Sequence, residues 1–232
     1  MGRLFFTGDT HREYDYGKIF LFNRRMKEQG LTKDDILVVM GDWGGYWYGG
    51  KKDYKFIKEK WEALPFTTFV IFGNHENYDV IDERLPIDFG GSIALRISDS
   101  VYGAISGEVY NLNGKTCLCV NGANSHDVFY ADGTRRRIEH ESWWPQEEIN
   151  DIAINRALNN IAIYKEVDYV LTHTGGSRIA SALGFNPTPS DAQLDRVLEN
   201  VKFDKHYCGH YHRDMNVDIN SRILYNDIIE IF

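Results

Sequence analysis

With 232 residues, 43% of them hydrophobic and 14% aromatic, the chain has enough apolar material for one sizeable core, and a single domain over residues 1–232 is expected. No apolar run approaches the ~18 to 20 residues of a membrane span, and the amino terminus enters a strand without the basic flank and apolar core of a signal peptide, so a cytoplasmic location with no membrane partner is expected. A formal charge of −8 argues against broad binding to a nucleic-acid backbone, and three cysteines are too few, and odd in number, for a disulfide framework.

The first apolar run, Leu4 to Thr7, stops at Gly8, Asp9, Thr10, His11. Ile19, Phe22, Asn23 and Met26 then fall at helical spacing, with Gly30 as a C-terminal stop. A second run, Ile36 to Met40, ends in Gly41 and Asp42 and opens a glycine and aromatic loop, Trp43 to Tyr48, closed by Lys51 and Lys52. Rings beside Asp42 suit either a platform for a nucleobase or sugar, or a cover over the edge of the fold. Ile57, Trp61 and Leu64 resume a helical period. The third run, Thr67 to Phe72, delivers Gly73, Asn74, His75, Glu76, and Tyr78 to Leu85 reads as a short helix.

From Ile93 to Val120 the pattern turns to strands, with Asn113-Gly114 as a hairpin turn between Glu108 to Leu112 and Lys115 to Val120. Cys117 and Cys119 share one face there and read as core, and Cys208 makes the third thiol. Turn chemistry follows from Asn121 to the triplet Arg135, Arg136, Arg137, which suits either a phosphate or a solvated loop. Pro145 with Glu147 and Glu148 predicts a helix start, carrying on to Ile154, Ala157, Leu158 and Ile161. Tyr169 to Thr172 ends in His173. Ser190 and Gln193 read as a capping box after Pro187 and Pro189, starting a helix with Leu194, Val197, Leu198 and Val201 on one face. His206 to Cys208 ends in Gly209, His210, Tyr211, His212, and Met215 to Phe232 alternates around Asn220 and Ser221 as a closing hairpin.

Five strand ends thus present two Asp, one Asn and five of the eight histidines, a set suited to divalent cations of borderline character. The remaining histidines, His126, His140 and His206, read as structural. The ordered blocks resemble the calcineurin-like metallophosphoesterases, whose pattern is D-x-H, G-D, G-N-H-[ED], a lone His and G-H-x-H, and the resemblance spans residues 8 to 212. It implies an α/β fold, a two-sheet αββα sandwich of the metallophosphoesterase type with mixed parallel and antiparallel strands, which the change from βα units to antiparallel strands also favours.

The resemblance further implies two divalent metal ions, Mn, Fe or Zn, one held by Asp9, His11 and His212, the other by Asn74, His173 and His210, with Asp42 bridging. A hydroxide shared by the metals would attack phosphorus, and Asp42 and His75 are the implied catalytic residues, His75 protonating or stabilising the leaving oxygen. The expected activity is hydrolysis of a small phosphorylated substrate, a nucleotide-type mono- or diester included. Two other readings stay open, a phosphoprotein Ser/Thr phosphatase and a non-catalytic metal-containing scaffold. The phosphatase branch carries G-D-x-x-D-R, whereas this chain has Gly41, Asp42, Trp43, Gly44, Gly45, Tyr46. That leaves Arg12, Arg178 or Arg213 as candidate phosphate ligands and Glu76 or Asp53 as candidates to hold the His75 ring.

Overall fold

The computed structural model describes residues 2–232. Strands β1 (Leu4–Thr7), β2 (Ile36–Met40) and β3 (Thr67–Ile71) are wholly buried and pair in parallel. Their alternate residues serve two cores. Phe5, Leu37, Val39 and Val70 face helix α1 (Gly17–Met26) through Ile19, Phe22 and Met26, while Phe6, Val38, Met40 and Phe69 pack against the second sheet. Burial on both faces is why these strands read as continuous apolar runs rather than as alternating ones. Gly30 stops the α1 segment with φ 66°, after a turn of 3-10 helix. Helix α2 (Gly50–Phe56) passes into a π-helical turn that buries Ile57 and Trp61.

Helix α3 is shorter than expected, Tyr78–Asp82, and is capped by Asn77. The strand after it, β4 (Pro86–Phe89), escaped the sequence pattern because its residues are exposed or half-buried. β4, β5 (Ser92–Arg96) and β6 (Val101–Ala104) extend the first sheet beyond β3, so that its order runs β4, β5, β6, β3, β2, β1 before the last strand of the chain joins at β1. β7 (Val109–Leu112) and β8 (Lys115–Val120) form the expected hairpin, with Asn113 and Gly114 both at positive φ, 51° and 89°. Such a turn matches the twist of the strands that it joins.

The second sheet continues through β9 (Glu166–Thr172) and β10 (Lys202–Cys208), parallel to β8. Cys117, Cys119, Tyr169, Leu171 and Tyr207 face the first sheet, and Leu118, Val120 and Val170 face the helices outside. Those helices are α4 (Asp151–Tyr164) and α6 (Pro189–Leu198), with α5 (Gly176–Ala182) beside them. The molecule is therefore an αββα sandwich with mixed strands. Cys117, Cys119 and Cys208 are buried free thiols.

Three local expectations are corrected. Pro145 opens only a 3-10 turn, Pro145–Glu147, after which Glu148 is extended, and α4 begins at Asp151 with Asn150 accepting from the Ala153 amide. The capping box of α6 lies two residues earlier, between Thr188 and Asp191, because Pro189 takes the first helical position. Met215 to Phe232 is not one hairpin. β11 (Met215–Asn216) and β12 (Ser221–Ile223) pair in the second sheet, whereas β13 (Ile228–Ile231) crosses over and pairs antiparallel with β1.

Candidate metal centre

The parallel strands of both sheets end along one edge, and each polar block follows one of these ends. Two groups of side chains come within 4.8 Å of one another there, Asp9 with His11 and His212, and Asp9 with Asp42 and His173. Asn74 joins the second group with its Oδ1 3.0 Å from His173 Nε2. His210 enters differently, its main-chain N–H donating to Asp9 Oδ1 at 3.0 Å and its ring edge-on to His173 at 4.9 Å. Glycines of the blocks make room for these groups. A Cβ on Gly73 would stand 2.2 Å from Asp42 Oδ1, and one on Gly209 the same distance from Asp9 Oδ1.

The turns are strained in a concentrated way. His11, Arg12, Asp42, His210 and His212 all have positive φ, from 36° to 66°, a conformation that non-glycine residues adopt at a cost of ~1 to 3 kcal/mol each. The turn hydrogen bonds hold part of it, with the Thr10 and His11 amides both donating to the Asp42 carbonyl at 3.0 and 2.8 Å.

The donor set fits divalent cations. His173 Nδ1 donates to the Met40 carbonyl at 2.8 Å, which turns Nε2 toward two oxygens, Asn74 Oδ1 at 3.0 Å and Asp42 Oδ1 at 3.3 Å. His11 Nδ1 likewise meets Asp15 Oδ2 at 2.8 Å and leaves Nε2 3.2 Å from Asp42 Oδ2. Asp9 Oδ2 is buried with no hydrogen bond, His212 Nε2 standing 3.2 Å away. Lone pairs thus converge with little between them except positive charge. Burial lowers the imidazole pKa values, yet the Asp42 and Asp9 carboxylates more than offset it and lift His11 to about 9 and His173 to about 10. Despite burial, those imidazoles hold Asp42 well below the carboxylate range. Protons are one source of the counter-charge that two buried carboxylates require, and cations are the other, so cation binding displaces protons. Burial keeps His210 neutral, at about 3.

Several supports had no signal of their own in the sequence. Asp15 holds His11, and Tyr225 both donates to Asp15 Oδ1 at 3.0 Å and stacks on His212 at 4.7 Å. Ser125 accepts from Asn74 Nδ2 at 2.9 Å. Glu76 takes the amides of Trp43, Gly44 and Gly73, tying the loops after β2 and β3 together. It therefore does not hold the His75 ring. Nor does Asp53, which binds Arg12 and the amides of Trp47, Tyr48 and Gly49.

What faces the His75 ring is a cation. Arg137 Nη2 lies 3.2 Å from His75 Nε2, and the guanidinium also meets Asp127 at 2.6 Å and Ser125 at 3.3 Å. Burial, aided by Arg137 and opposed by Asp42, lowers the pKa of His75. Its own amide donates to Asp42 Oδ1 at 2.8 Å, and Trp47 stacks on its ring. Of the arginine triplet only Arg137 is buried; Arg135 and Arg136 are exposed, lying over Trp143 and Tyr130. The other candidates are absent from this position. Arg12 is committed to Asp53 and to the Gly44 and Lys52 carbonyls, Arg178 to Asp218 and Ser221, and Arg213 is exposed.

The aromatic loop divides as well. Trp43 and Tyr46 are buried in the core, Trp43 against Trp61, while Trp47 and Tyr48 line a cleft of about 240 Å³ with His11, Arg12, Tyr14 and His75. Of the histidines read as structural, His206 is buried against Thr172 and His140 pairs with Asp79. His126 is exposed, with its ring 5.7 Å from that of His210.

Carboxylates and imidazoles gathered at the strand ends of a four-layer sandwich define a class of centre, one that holds divalent cations. The chain belongs to the calcineurin-like phosphoesterase family, whose model matches residues 2–214, and it is accordingly a metal-dependent phosphoesterase. Among solved structures it is similar to the crystal structure of Phosphopantetheinyl Hydrolase (PptH) from Mycobacterium tuberculosis, at 14% identity over 97% of this chain and 88% of that one, with a TM-score of 0.46. No curated protein matches the sequence. Among the described residues no helix is long and apolar enough to cross a membrane.

Proposed function

We propose that the chain hydrolyses small phosphate esters, nucleotide-type esters among them, with two divalent cations, Mn, Fe or Zn, held by Asp9, His11 and His212 on one side, Asn74, His173 and His210 on the other, and Asp42 between. The observation that carries this reading is the pair of imidazole Nε2 atoms, on His11 and His173, aimed at opposite oxygens of the one Asp42 carboxylate at 3.2 and 3.3 Å. Cations bound there would supply Lewis acidity, lowering the pKa of water and neutralising charge on the phosphoryl oxygens.

The chain's own groups do the rest. Arg137 offers a buried guanidinium for a nonbridging phosphoryl oxygen, in place of the arginine missing after Asp42. His75, with that cation at its ring, acts as a hydrogen-bonding group at the reacting phosphate rather than as a carboxylate-backed acid. Trp47 covers one face of His75 and keeps water from it. The cleft past Trp47 and Tyr48 suits a leaving group of ring size, which favours a small ester over a folded phosphoprotein. Free buried thiols are in keeping with a reducing, cytoplasmic setting.

The test is turnover of p-nitrophenyl phosphate and its bis ester by Mn²⁺-loaded protein, followed by a panel of nucleotides, cyclic nucleotides, phosphopeptides and short oligonucleotides. Absence of turnover on all of them, with both cations bound, would favour the scaffold reading. A nucleotide KM no lower than that of a ring-free phosphomonoester rejects the role given to the cleft.

A further inference from the structure

We propose that Tyr225 sets the grip of the Asp9, His11 and His212 subsite on its cation, and that removing it empties that subsite while leaving the other filled. The inference rests on the metal assignment above. Tyr225 lies beyond residue 214, where the family model stops, so none of the shared blocks assigns it a role.

The side chain of Tyr225 reaches those of His11 and His212 by separate routes, and its main chain is tied to that of Asp9. Its hydroxyl donates to Asp15 Oδ1 at 3.0 Å, and Asp15 Oδ2 meets His11 Nδ1 at 2.8 Å, which fixes the ring and directs Nε2 inward. Its ring stacks on His212 at 4.7 Å with an interplanar angle of 10°. Its carbonyl shares the Lys18 ammonium with the carbonyls of Gly8 and Asp9, the last at 2.6 Å, so the turn that carries Asp9 is pinned to the same segment. Outer partners of this kind orient a ligand and raise its basicity, and their loss typically costs ~10- to 100-fold in metal affinity.

The segment is itself held rigidly. The Asp214 carboxylate accepts the amides of Tyr225, Asn226 and Asp227 at 2.8 to 2.9 Å. The crossover from β12 to β13 therefore stands as a fixed wall against the rim of the metal centre. His212 needs such a wall, because its side chain is 50% exposed and at positive φ. With the wall gone it would lose rotamer freedom on binding a cation, at an entropic cost. On the other side His173 has no such dependence, being fully buried and held by a main-chain carbonyl.

Calorimetric titration of metal-free protein with Mn²⁺, and elemental analysis after dialysis, read the effect without any assay of activity. Tyr225→Phe keeps the stack and loses only the bond to Asp15, so one of the two binding steps should weaken by ~10-fold. Tyr225→Ala removes the stack as well, and should weaken the same step by ~100-fold, leaving about one cation per chain after dialysis. Thermal unfolding of the metal-free variants shows whether each is folded, and the phenylalanine variant keeps the test valid if the alanine variant is not. Wild-type affinity in both steps for the phenylalanine variant, or equal weakening of both steps, overturns the proposal. A wild-type protein that binds no cation at all would instead overturn the metal reading on which it rests.

Discussion

His173 and His212 come from the ends of neighbouring strands and both approach Asp9, at 4.0 and 3.2 Å, yet they are held in opposite ways. His173 is wholly buried and takes its orientation from the Met40 carbonyl, a group that no substitution removes. His212 is half-exposed and is steadied by side chains, with Tyr225 stacked on it. The buried side is fixed by the sheets themselves and the rim side by residues that evolution or an experimenter can change one at a time. Asn74 belongs to the buried side, with Ser125 behind its amide nitrogen, and His11 belongs to the rim with Asp15 behind it.

Asp42 is where the two sides meet, since its oxygens face His11 and His173 and also accept the His75 amide. Asp42→Ala should erase the distinction, with loss of both cations and a fall in kcat/KM of ~10³ or more, the several kcal/mol expected of metal catalysis. Elemental analysis checks the first part. Full occupancy in a folded variant would mean that the two sides do not depend on a shared carboxylate.

Arg137 and His75 lie across from the rim, and their replacement should leave both cations in place. Removing the buried guanidinium at the His75 ring should lower kcat/KM by ~10²-fold in Arg137→Ala, with Arg137→Lys recovering only part, because a lysine cannot reproduce a forked contact. A loss of metal in either variant would assign Arg137 to the support of Asn74 through Ser125. For His75→Ala a loss of ~10- to 100-fold is expected, and it should be the same for aryl and alkyl leaving groups. A loss that grows with leaving-group pKa would restore the role of proton donor.

The same contrast explains what the sequence made legible. The buried side and the strand ends are written in contiguous blocks, so Asp9, His11, Asp42, Asn74, His173, His210 and His212 could be named from spacing and resemblance, and the structure brings them to one edge. The supports are not contiguous with what they support. Asp15, Ser125 and Tyr225 have ordinary neighbours and gain meaning only when two sheets close, as Tyr225 does when β13 crosses to pair with β1. Arg137 was visible only as one of three adjacent arginines, and burial alone separates it from Arg135 and Arg136. Trp43 and Trp47 likewise share a loop, yet one faces Trp61 in the core and the other the cleft. The misplaced starts of α4 and α6 have a local cause. Extended Glu148 ends the turn that Pro145 opens and leaves Asn150 to cap α4, and Pro189 takes the first helical position of α6 and leaves Thr188 as its cap.

The smallest effect at neutral pH is expected behind the buried side, at His206, and it concerns stability rather than turnover. Thr172 donates its hydroxyl proton to the Thr174 carbonyl, so its oxygen accepts from His206 Nε2 at 2.8 Å. Burial, with the charge of Arg178 adding to it, lowers the pKa of His206 to about 3, against ~6.5 in an unfolded chain. The folded state thus favours the neutral ring. Stability from this source is fully present above pH ~6.5 and is lost as the pH falls toward 3, because the unfolded chain gains a proton that the folded one refuses. One proton corresponds to a slope of at most ~1.4 kcal/mol per pH unit. His206→Gln retains a donor for Thr172 and removes the titration. At pH 7.5 the variant should be less stable by ~1 kcal/mol, the net worth of one imperfectly replaced hydrogen bond. On acidification from 6.5 the gap should close and then reverse. Denaturant unfolding at a series of pH values, with a chelator present so that cation binding adds no slope of its own, measures this directly. Parallel loss of stability in the two proteins would show that His206 takes up its proton without unfolding, and that the buried side yields more readily than its packing implies.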